Sequence, residues 1–279
     1  MNKIVIPNLK GGLGNQMFQI ATTYAYAQKH GLDWGVNYNL QHYCIQGHNP
    51  NRYKDTLFKN IPEKRVNMEN FKTYSEPKFS YTEIPLLDTT HNIVLDGYFQ
   101  SEKYFSDESV RAYIQNTLFS VPNDVYSKVV SSIQKIKERL GYDSLIGIHV
   151  RRGDYKVYSS THPLCPPSYY KDAIRIIRSK IKDQKMGILL FTDDPNSVFS
   201  EFNFEENDNV IFFNGSSELE DLCGLSLCDN LVICNSSFSW WGSYLGNPRY
   251  VVAPTKWFGV DGPKDFHDVF RKDWIKLNY

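Results

Sequence analysis

Short β-branched apolar runs alternate with longer amphipathic stretches from one end of the chain to the other, and that alternation limits the fold more than any other feature. "KIVIPN" (3–8) reads as a strand and "NQMFQIATTYAYAQKHG" (15–31) as a helix closed by Gly31. "NIVLDGYF" (92–99) is a second strand, and "VYSKVVSSIQKIKERLG" (125–141) a second helix ending in glycine. The pattern then restarts with "LIGIHV" (145–150), "SYYKDAIRIIRSKIKD" (168–183), "MGILLFT" (186–192), "NVIFFN" (209–214), "NLVIC" (230–234) and "RYVVAP" (249–254). Strands separated by helices imply parallel sheets covered by helices, an α/β fold. The chain has 279 residues, enough for about two domains. The restart after Gly141 places the boundary there, giving lobes at 1–143 and 144–279. Residues 42–91, rich in Pro, Asn and Tyr with weak periodicity, read as an irregular insertion in the first lobe.

Composition excludes several classes. Formal net charge is zero, so nothing in bulk charge suggests nucleic acid or an anionic membrane as partner. Five cysteines, Cys44, Cys165, Cys223, Cys228 and Cys234, form no C-x-x-C pair, which argues against a disulfide framework and a zinc site and fits a reducing compartment. The amino terminus reads as a strand and loop rather than a signal peptide. No window offers a transmembrane helix. The expectation is a cytoplasmic protein.

In open α/β sheets ligands bind beyond the carboxyl ends of strands, and four chemically dense segments fall there. "KGGLGNQ" (10–16) joins a strand to a helix through three glycines, suiting close approach of a phosphate to Gly12, Gly14, Asn15 and Gln16. It matches neither the dinucleotide fingerprint nor the phosphate loop, and a tight turn would also explain it. "HVRRGDY" (149–155) places two guanidinium groups at a strand exit. Adjacent arginines are costly unless an anion neutralises them, and a guanidinium fork matches phosphate. Alternation sends neighbouring side chains to opposite sides. Arg151, on the side of His149, is therefore expected to meet the ligand and Arg152 to pair with a carboxylate. Asp154 is either that carboxylate or a general base; a structural ion-pair network is the alternative, and the embedded "RGD" has no adhesion context here.

"FTDDP" (191–195) puts Asp193 and Asp194 at another strand exit, either capping a helix or offering paired acceptors to a guanine edge. No neighbouring ligands complete a metal set. "CNSSFSWWGSYLG" (234–246) follows a strand. Ser236 and Ser237 stand where a helix begins and can cap it or meet phosphate. Trp240 and Trp241 are either core or part of a sugar-facing surface.

Taken together, "GGLGNQMFQ" (11–19), "GYFQSEKYF" (97–105), "HVRRGDY", "FTDDP" and "NSSFSWWG" (235–242) resemble, in order and across most of the chain, the α-1,2-fucosyltransferases of bacteria and animals. The resemblance implies a GT-B-like arrangement of two Rossmann-type lobes with parallel sheets facing a central cleft, the second lobe holding GDP-fucose. It implies an inverting, metal-independent transferase moving L-fucose from GDP-β-L-fucose to the 2-hydroxyl of a terminal β-galactoside, with no cofactor. Arg151, Asp154 and His149 become the catalytic candidates. Gly12, Gly14, Asn15, Gln16, Arg152, Asp193, Asp194, Asn235, Ser236 and Ser237 become the donor-binding ones. Tyr98, Gln100 and Trp240 fall on the acceptor side.

Two departures stand out: Asn230 occupies a position, five before Asn235, where the family often has His, and no acid lies between Asp154 and Asp172. The resemblance points to a bacterial, cytoplasmic enzyme working on a cell-surface glycan, with peripheral association at the inner membrane face compatible with it. The rival readings are a fucosyltransferase of another linkage and a nucleotide- or carbohydrate-binding protein without catalysis. The sequence leaves open the acceptor glycan, the general base and the oligomeric state.

Overall fold

The computed structural model describes residues 3–40, 47–88, 90–204 and 209–279. Two compact units emerge. The first comprises residues up to Ser120 together with Asp265–Arg271, and the second Val121–Lys264 with Lys272–Tyr279. This differs from the division at 143/144 expected above. The helix Asn123–Leu140 packs on Glu218–Ser226 of the second unit rather than on the first sheet, and a short segment near the carboxyl terminus returns to the first unit.

In the first unit, β1 (Ile4–Pro7), β2 (Asp33–Trp34), β3 (Phe71–Ser75) and β4 (Asn92–Asp96) form a parallel sheet in the order β2-β1-β4-β3. Helix α1 (Leu13–His30) crosses between β1 and β2. It ends as expected at Gly31, whose φ of 64° lets the chain leave the helix in a left-handed conformation while its N–H bonds Ala27 O. β3 falls inside the stretch expected to be irregular. It is an edge strand, largely exposed, so it carries no hydrophobic alternation to betray it. Helix α2 (Glu108–Tyr113), capped by Asp107, completes this unit.

The second unit is built on β5 (Ser144–Val150), β6 (Met186–Thr192), β7 (Val210–Phe212), β8 (Asn230–Val232), β9 (Tyr250–Pro254) and β10 (Ile275–Leu277), all parallel, ordered β10-β9-β8-β5-β6-β7. Every residue of β5 is buried, which explains its unbroken apolar run: a central parallel strand is covered on both faces. Helices α3 (Asn123–Leu140), α4 (Pro167–Lys180), α5 (Pro195–Glu201), α6 (Glu218–Ser226) and α7 (Ser237–Leu245) cover it. Ile174 and Ile177 of α4 join Ile146, Ile148, Ile188 and Leu190 in the core beneath them. Gly147 is required at the centre of β5, because a Cβ there would come within 2.7 Å of Cys228 Sγ and 2.8 Å of a Leu231 methyl.

Helix α7 settles the two open readings of the tryptophans. Trp240 and Trp241 are 0% exposed. Trp240 stacks on Tyr244 with centroids 5.1 Å apart and meets Trp241 edge-on at 5.1 Å. The expected acceptor-side role of Trp240 is therefore corrected: its indole is core, and it pins α7 to the sheet. Four cysteines (Cys165, Cys223, Cys228, Cys234) are free and buried, and Cys44 lies outside the described residues. Burial of a whole indole in a close-packed core sets the scale of its loss. Trp240→Ala is expected to cost roughly 3–5 kcal/mol of unfolding free energy, read as a lowered denaturation midpoint; an unchanged midpoint would show that the indole is not structural.

Candidate active site

Each sheet reverses its own direction of growth once, and the dense sequence segments of that unit lie in the loops at that point. In the second unit β5-β6-β7 extends one way and β8-β9-β10 the other, so the switch lies between β5 and β8. Ligand crevices of open α/β sheets form beyond the carboxyl ends of such a strand pair. The loops leaving β5 and β8 carry "RRGDY" and "NSSFS".

The two arginines divide as alternation predicts. Arg152 is 1% exposed. Its Nε donates to Glu201 at 2.8 Å, Nη2 to Cys165 O at 3.1 Å and Nη1 to Arg151 O at 3.3 Å, and its guanidinium lies over Phe202. This corrects the donor-binding expectation for Arg152: its donors are spent on the protein, and it serves as a pin. Arg151 remains partly exposed, with Nη2 2.7 Å from Asp154 Oδ1 and Nε 3.1 Å from Asp193 Oδ2. Burial opposes its charge, yet the two carboxylates outweigh burial and raise its pKa. The pairing holds the guanidinium plane in place while its partly exposed edge can accept a phosphate.

Asp154 therefore pairs with Arg151, not Arg152. Its Oδ1 is committed to the guanidinium, and its buried Oδ2 has no partner among the described residues. With Oδ1 engaged 2.7 Å from the guanidinium, the arrangement favours orientation of Arg151 over contact with an acceptor.

The acids of "FTDDP" are occupied. Asp193 accepts the Arg152 N–H at 2.8 Å as well as pairing with Arg151. Gly153 lies so close that a Cβ would come within 2.4 Å of Asp193 Oδ2. Asp194 caps α5 through Ser197 N–H at 3.1 Å and pairs with Lys156 at 2.8 Å, a contact that holds its carboxyl low. The capping alternative holds for Asp194, and guanine recognition by this pair is corrected. Both carboxylates tie the loop after β6 to the loop after β5.

His149 is corrected as a catalytic group. It is 5% exposed, its Nδ1 lies 3.2 Å from Cys234 Sγ, and burial together with the Arg151 charge pushes its pKa down to about 3. The imidazole is neutral and turned into the core. Asn235 is likewise internal, donating to Trp257 O at 3.0 Å while its own carbonyl accepts from Tyr155 OH at 3.0 Å. Ser236 caps α7 by accepting from Phe238 N–H at 3.3 Å. Ser237, the first residue of α7, stays half-exposed, so the helix N-terminus next to the β5 loop is open to an anion.

Asp221 was not singled out by motif. It lies in the first turns of α6, after β7, at the same edge of the sheet. Burial and then the neighbouring Glu220 push its carboxyl up to about 7, and its Oδ1 has no hydrogen-bond partner among the described residues. The signal lay in "SSELEDL", where Ser217 caps the helix and three acids crowd its first turn. Asn230, the departure from the family pattern, is the first residue of β8 and pairs with Ile146 and Tyr250. It sits at the amino edge of the sheet, opposite the loops just described, and leaves their chemistry untouched.

In the first unit the switch lies between β1 and β4, and it gathers "KGGLGNQ" with "GYFQ". Gly11 adopts φ 76°, and the Asn15 side chain folds so closely over it that a Cβ would come within 2.4 Å of Nδ2. Asn15 Oδ1 accepts from Gln100 Nε2 at 2.8 Å, linking the two motifs. Gly12 precedes α1 in an extended conformation, and Gly14 is buried in its first turn. Gln16 is 0% exposed and donates to Gly11 O at 3.0 Å and His48 O at 2.8 Å, so its donor-binding role is corrected to loop bracing. Gln19, which the motif reading left without a role, braces Lys10 in both directions, accepting its N–H at 2.9 Å and donating to its carbonyl at 3.1 Å. Tyr98 is 36% exposed, whereas Gln100 is buried against Asn15.

Among the described residues no group of three or more His, Cys, Asp or Glu is placed to hold a metal ion, and no helix is long and apolar enough to cross a membrane.

The glycosyl transferase family 11 model matches residues 2–278. An α-1,2-colitosyltransferase of Escherichia coli is 24% identical over 302 residues, covering 98% of this chain and 99% of that protein. The O-antigen biosynthesis glycosyltransferase WbnK of Escherichia coli is 27% identical over 311 residues, covering 96% and 99%. Among solved structures, NodZ α-1,6-fucosyltransferase co-crystallized with GDP matches with a TM-score of 0.55 at 15% identity, covering 88% of this chain and 93% of that one. NodZ from Bradyrhizobium in selenomethionine form matches at 0.54 and 14%, with the same coverage. The fold is that of the GT-B-like fucosyltransferases, two units of parallel sheet flanked by helices. By a family match that runs essentially the whole length of the sequence, the chain belongs to glycosyl transferase family 11 and is a glycosyltransferase.

Proposed function

We propose that this enzyme is an inverting α-1,2-fucosyltransferase that moves L-fucose from GDP-β-L-fucose to the 2-hydroxyl of a terminal β-galactoside. The observation that carries the reading is the pairing of a rigid, partly exposed guanidinium, Arg151, with the open N-terminus of α7 at the β5/β8 switch. The NodZ structure with GDP supports a guanosine diphosphate donor. The colitosyltransferase relative supports the 1,2 linkage and offers colitose as the second donor reading. WbnK supports a surface polysaccharide as the setting.

The chemistry follows from charge. Transfer breaks the bond between the anomeric carbon and the β-phosphate oxygen; the sugar becomes oxocarbenium-like and negative charge grows on GDP. Arg151 and the N–H groups of α7 face that growing charge, and groups fixed in advance need no reorganisation. In a single displacement the acceptor's 2-oxygen bonds the anomeric carbon as GDP leaves, the hydroxyl proton passes to solvent, and the β-linked donor becomes an α-fucoside. No metal is assigned a part in this scheme. The guanine edge, which presents N–H donors, is assigned to Asp221, whose carboxyl takes the Gly215 N–H and keeps a buried Oδ1 without a partner among the described residues, where Asp193 and Asp194 have both oxygens engaged.

The overall test is GDP release from GDP-fucose with lactose in EDTA, the product linkage being read by NMR. Release with an α-1,2 product is expected; release that requires a divalent ion, or another linkage, would overturn those parts of the reading. Arg151→Lys keeps the charge but loses the fork, so kcat is expected to fall by roughly 10²–10³. Near-normal turnover would remove Arg151 from leaving-group stabilisation.

Asp221 yields a pH signature of two opposite signs. Its folded-state pKa of about 7 is above the unfolded value, so its contribution to the free protein's stability is present at low pH and lost as pH rises through 7. Guanine, however, is held by the ionised carboxylate. GDP affinity is expected to weaken as pH falls below 7, by up to about tenfold per unit, and Asp221→Asn should flatten both profiles. Titration calorimetry of GDP and thermal melts between pH 5.5 and 8 measure the two; an unchanged GDP profile in the variant would take guanine recognition away from Asp221.

A further inference from the structure

Glu76 belongs to none of the motifs, yet it stands where β3 ends, beside the loop that leaves β4. Its two carboxylate oxygens accept the backbone N–H of Tyr98 at 2.7 Å and of Phe99 at 3.1 and 3.2 Å, and Oε1 also accepts from Tyr104 OH at 3.3 Å. The neighbouring backbone fits only because residue 97 is glycine: a Cβ there would come within 2.4 Å of Glu76 Cβ. Phe99 adopts φ 51°, a left-handed conformation that a bulky residue enters only when its surroundings hold it there. Its ring is 1% exposed and packs edge-on against Tyr104 at 5.2 Å. Burial raises the Glu76 carboxyl while these hydrogen bonds act to keep it ionised.

The consequence is visible on the other side of the turn. Reversal at Phe99 turns Gln100 inward onto Asn15 and leaves Tyr98 outward. Lys10 Nζ lies 5.2 Å from the centre of the Tyr98 ring and 2.7 Å from Asp96 Oδ1, which Asn8 also contacts at 3.0 Å. A partly exposed aromatic ring with an ammonium over it and a carboxylate beside that ammonium suits a pyranose, whose C–H face packs on the exposed ring while its hydroxyls reach the charged groups.

We propose that Glu76 is a positioning residue for the acceptor: it clamps the 97–99 turn so that Tyr98, Asp96 and Lys10 form a pyranose subsite. The inference rests on the transferase reading above and assigns the galactoside end of that reaction to this patch. It assigns nothing to the donor, which separates it from a general structural role.

The test compares wild type with Glu76→Gln, measuring KM for lactose, KM for GDP-fucose, GDP-fucose hydrolysis without acceptor, and the thermal midpoint. The amide keeps one carbonyl oxygen but turns an NH2 group toward a backbone N–H, so one of the clamp's bonds is lost. An increase of about tenfold or more in the lactose KM is expected, with the GDP-fucose KM and hydrolysis within about twofold of wild type. Tyr98→Ala, a change at an exposed ring, should reproduce the lactose effect without lowering the midpoint. It keeps the inference testable if Glu76→Gln fails to fold. An unaltered lactose KM in either folded variant, or donor and acceptor constants that deteriorate together, would overturn the assignment. If wild type itself transfers nothing from GDP-fucose to lactose, the functional reading fails and the inference falls with it.

Discussion

Two guanidinium groups leave β5 side by side, and the second unit is organised around keeping them apart in role. Arg152 points into the protein, where Glu201 neutralises it and the Cys165 and Arg151 carbonyls take up its remaining donors. Removing Glu201, whose side chain is 40% exposed, would leave the buried Arg152 guanidinium without its counter-charge. That pairing makes the loop geometry stiff. Arg151, one residue earlier, inherits the stiffness and stays open to solvent on one edge. A leaving-group cation has to be in place before charge develops, and a flexible arginine on a surface loop would lose entropy at the moment of use.

The pairing with Asp154 and Asp193 raises an apparent conflict. Carboxylates beside a phosphate-binding arginine compete for it and repel the phosphate. The geometry resolves this in part by crowding both acids around Nε and Nη2. This leaves the remaining guanidinium edge for the phosphate of the proposed donor, beside the first turn of α7, whose N–H groups carry no counter-charge of their own. In the proposed reading, cation and helix end act jointly. Asp154 then belongs to the arginine rather than to the acceptor, and the proton from the acceptor hydroxyl must find another route.

Much of this was legible beforehand, for a physical reason. β5, β6 and the long helices α1, α3 and α4 are written in strong periodicity because each buries a continuous face. The opposed roles of Arg151 and Arg152 follow the alternation of β5 carried past its end at Val150. What sequence could not supply was the occupancy of hydrogen-bond acceptors. Asp193 and Asp194 look like free paired acids in a string, but one is consumed by the Arg152 amide and Arg151 and the other by Ser197 and Lys156. Trp240, Gln16 and His149 were misplaced for a related reason. A residue inside a motif can serve the motif's rigidity rather than its ligand, and only burial separates the two. β3 escaped because an edge strand need not alternate.

The two units share one device at their switch points. In the second, Asp193 follows β6 and accepts the backbone N–H of Arg152 in the loop after the adjacent strand β5. In the first, Glu76 follows β3 and accepts the N–H groups of Tyr98 and Phe99 in the loop after the adjacent strand β4. Each acid lies against a glycine, Gly153 or Gly97, whose missing Cβ allows the approach. A loop beyond the end of a sheet has lost its ladder partners, and its N–H groups must be satisfied some other way. A carboxylate from the neighbouring strand satisfies them in a fixed direction, as the ladder would have done one residue earlier. The loop then keeps strand-like precision past the end of the sheet, where side chains can project into solvent. Arg151 and Tyr98 are alike in being partly exposed residues in such a loop, Arg151 beside the clamped Arg152 amide and Tyr98 with its own amide clamped.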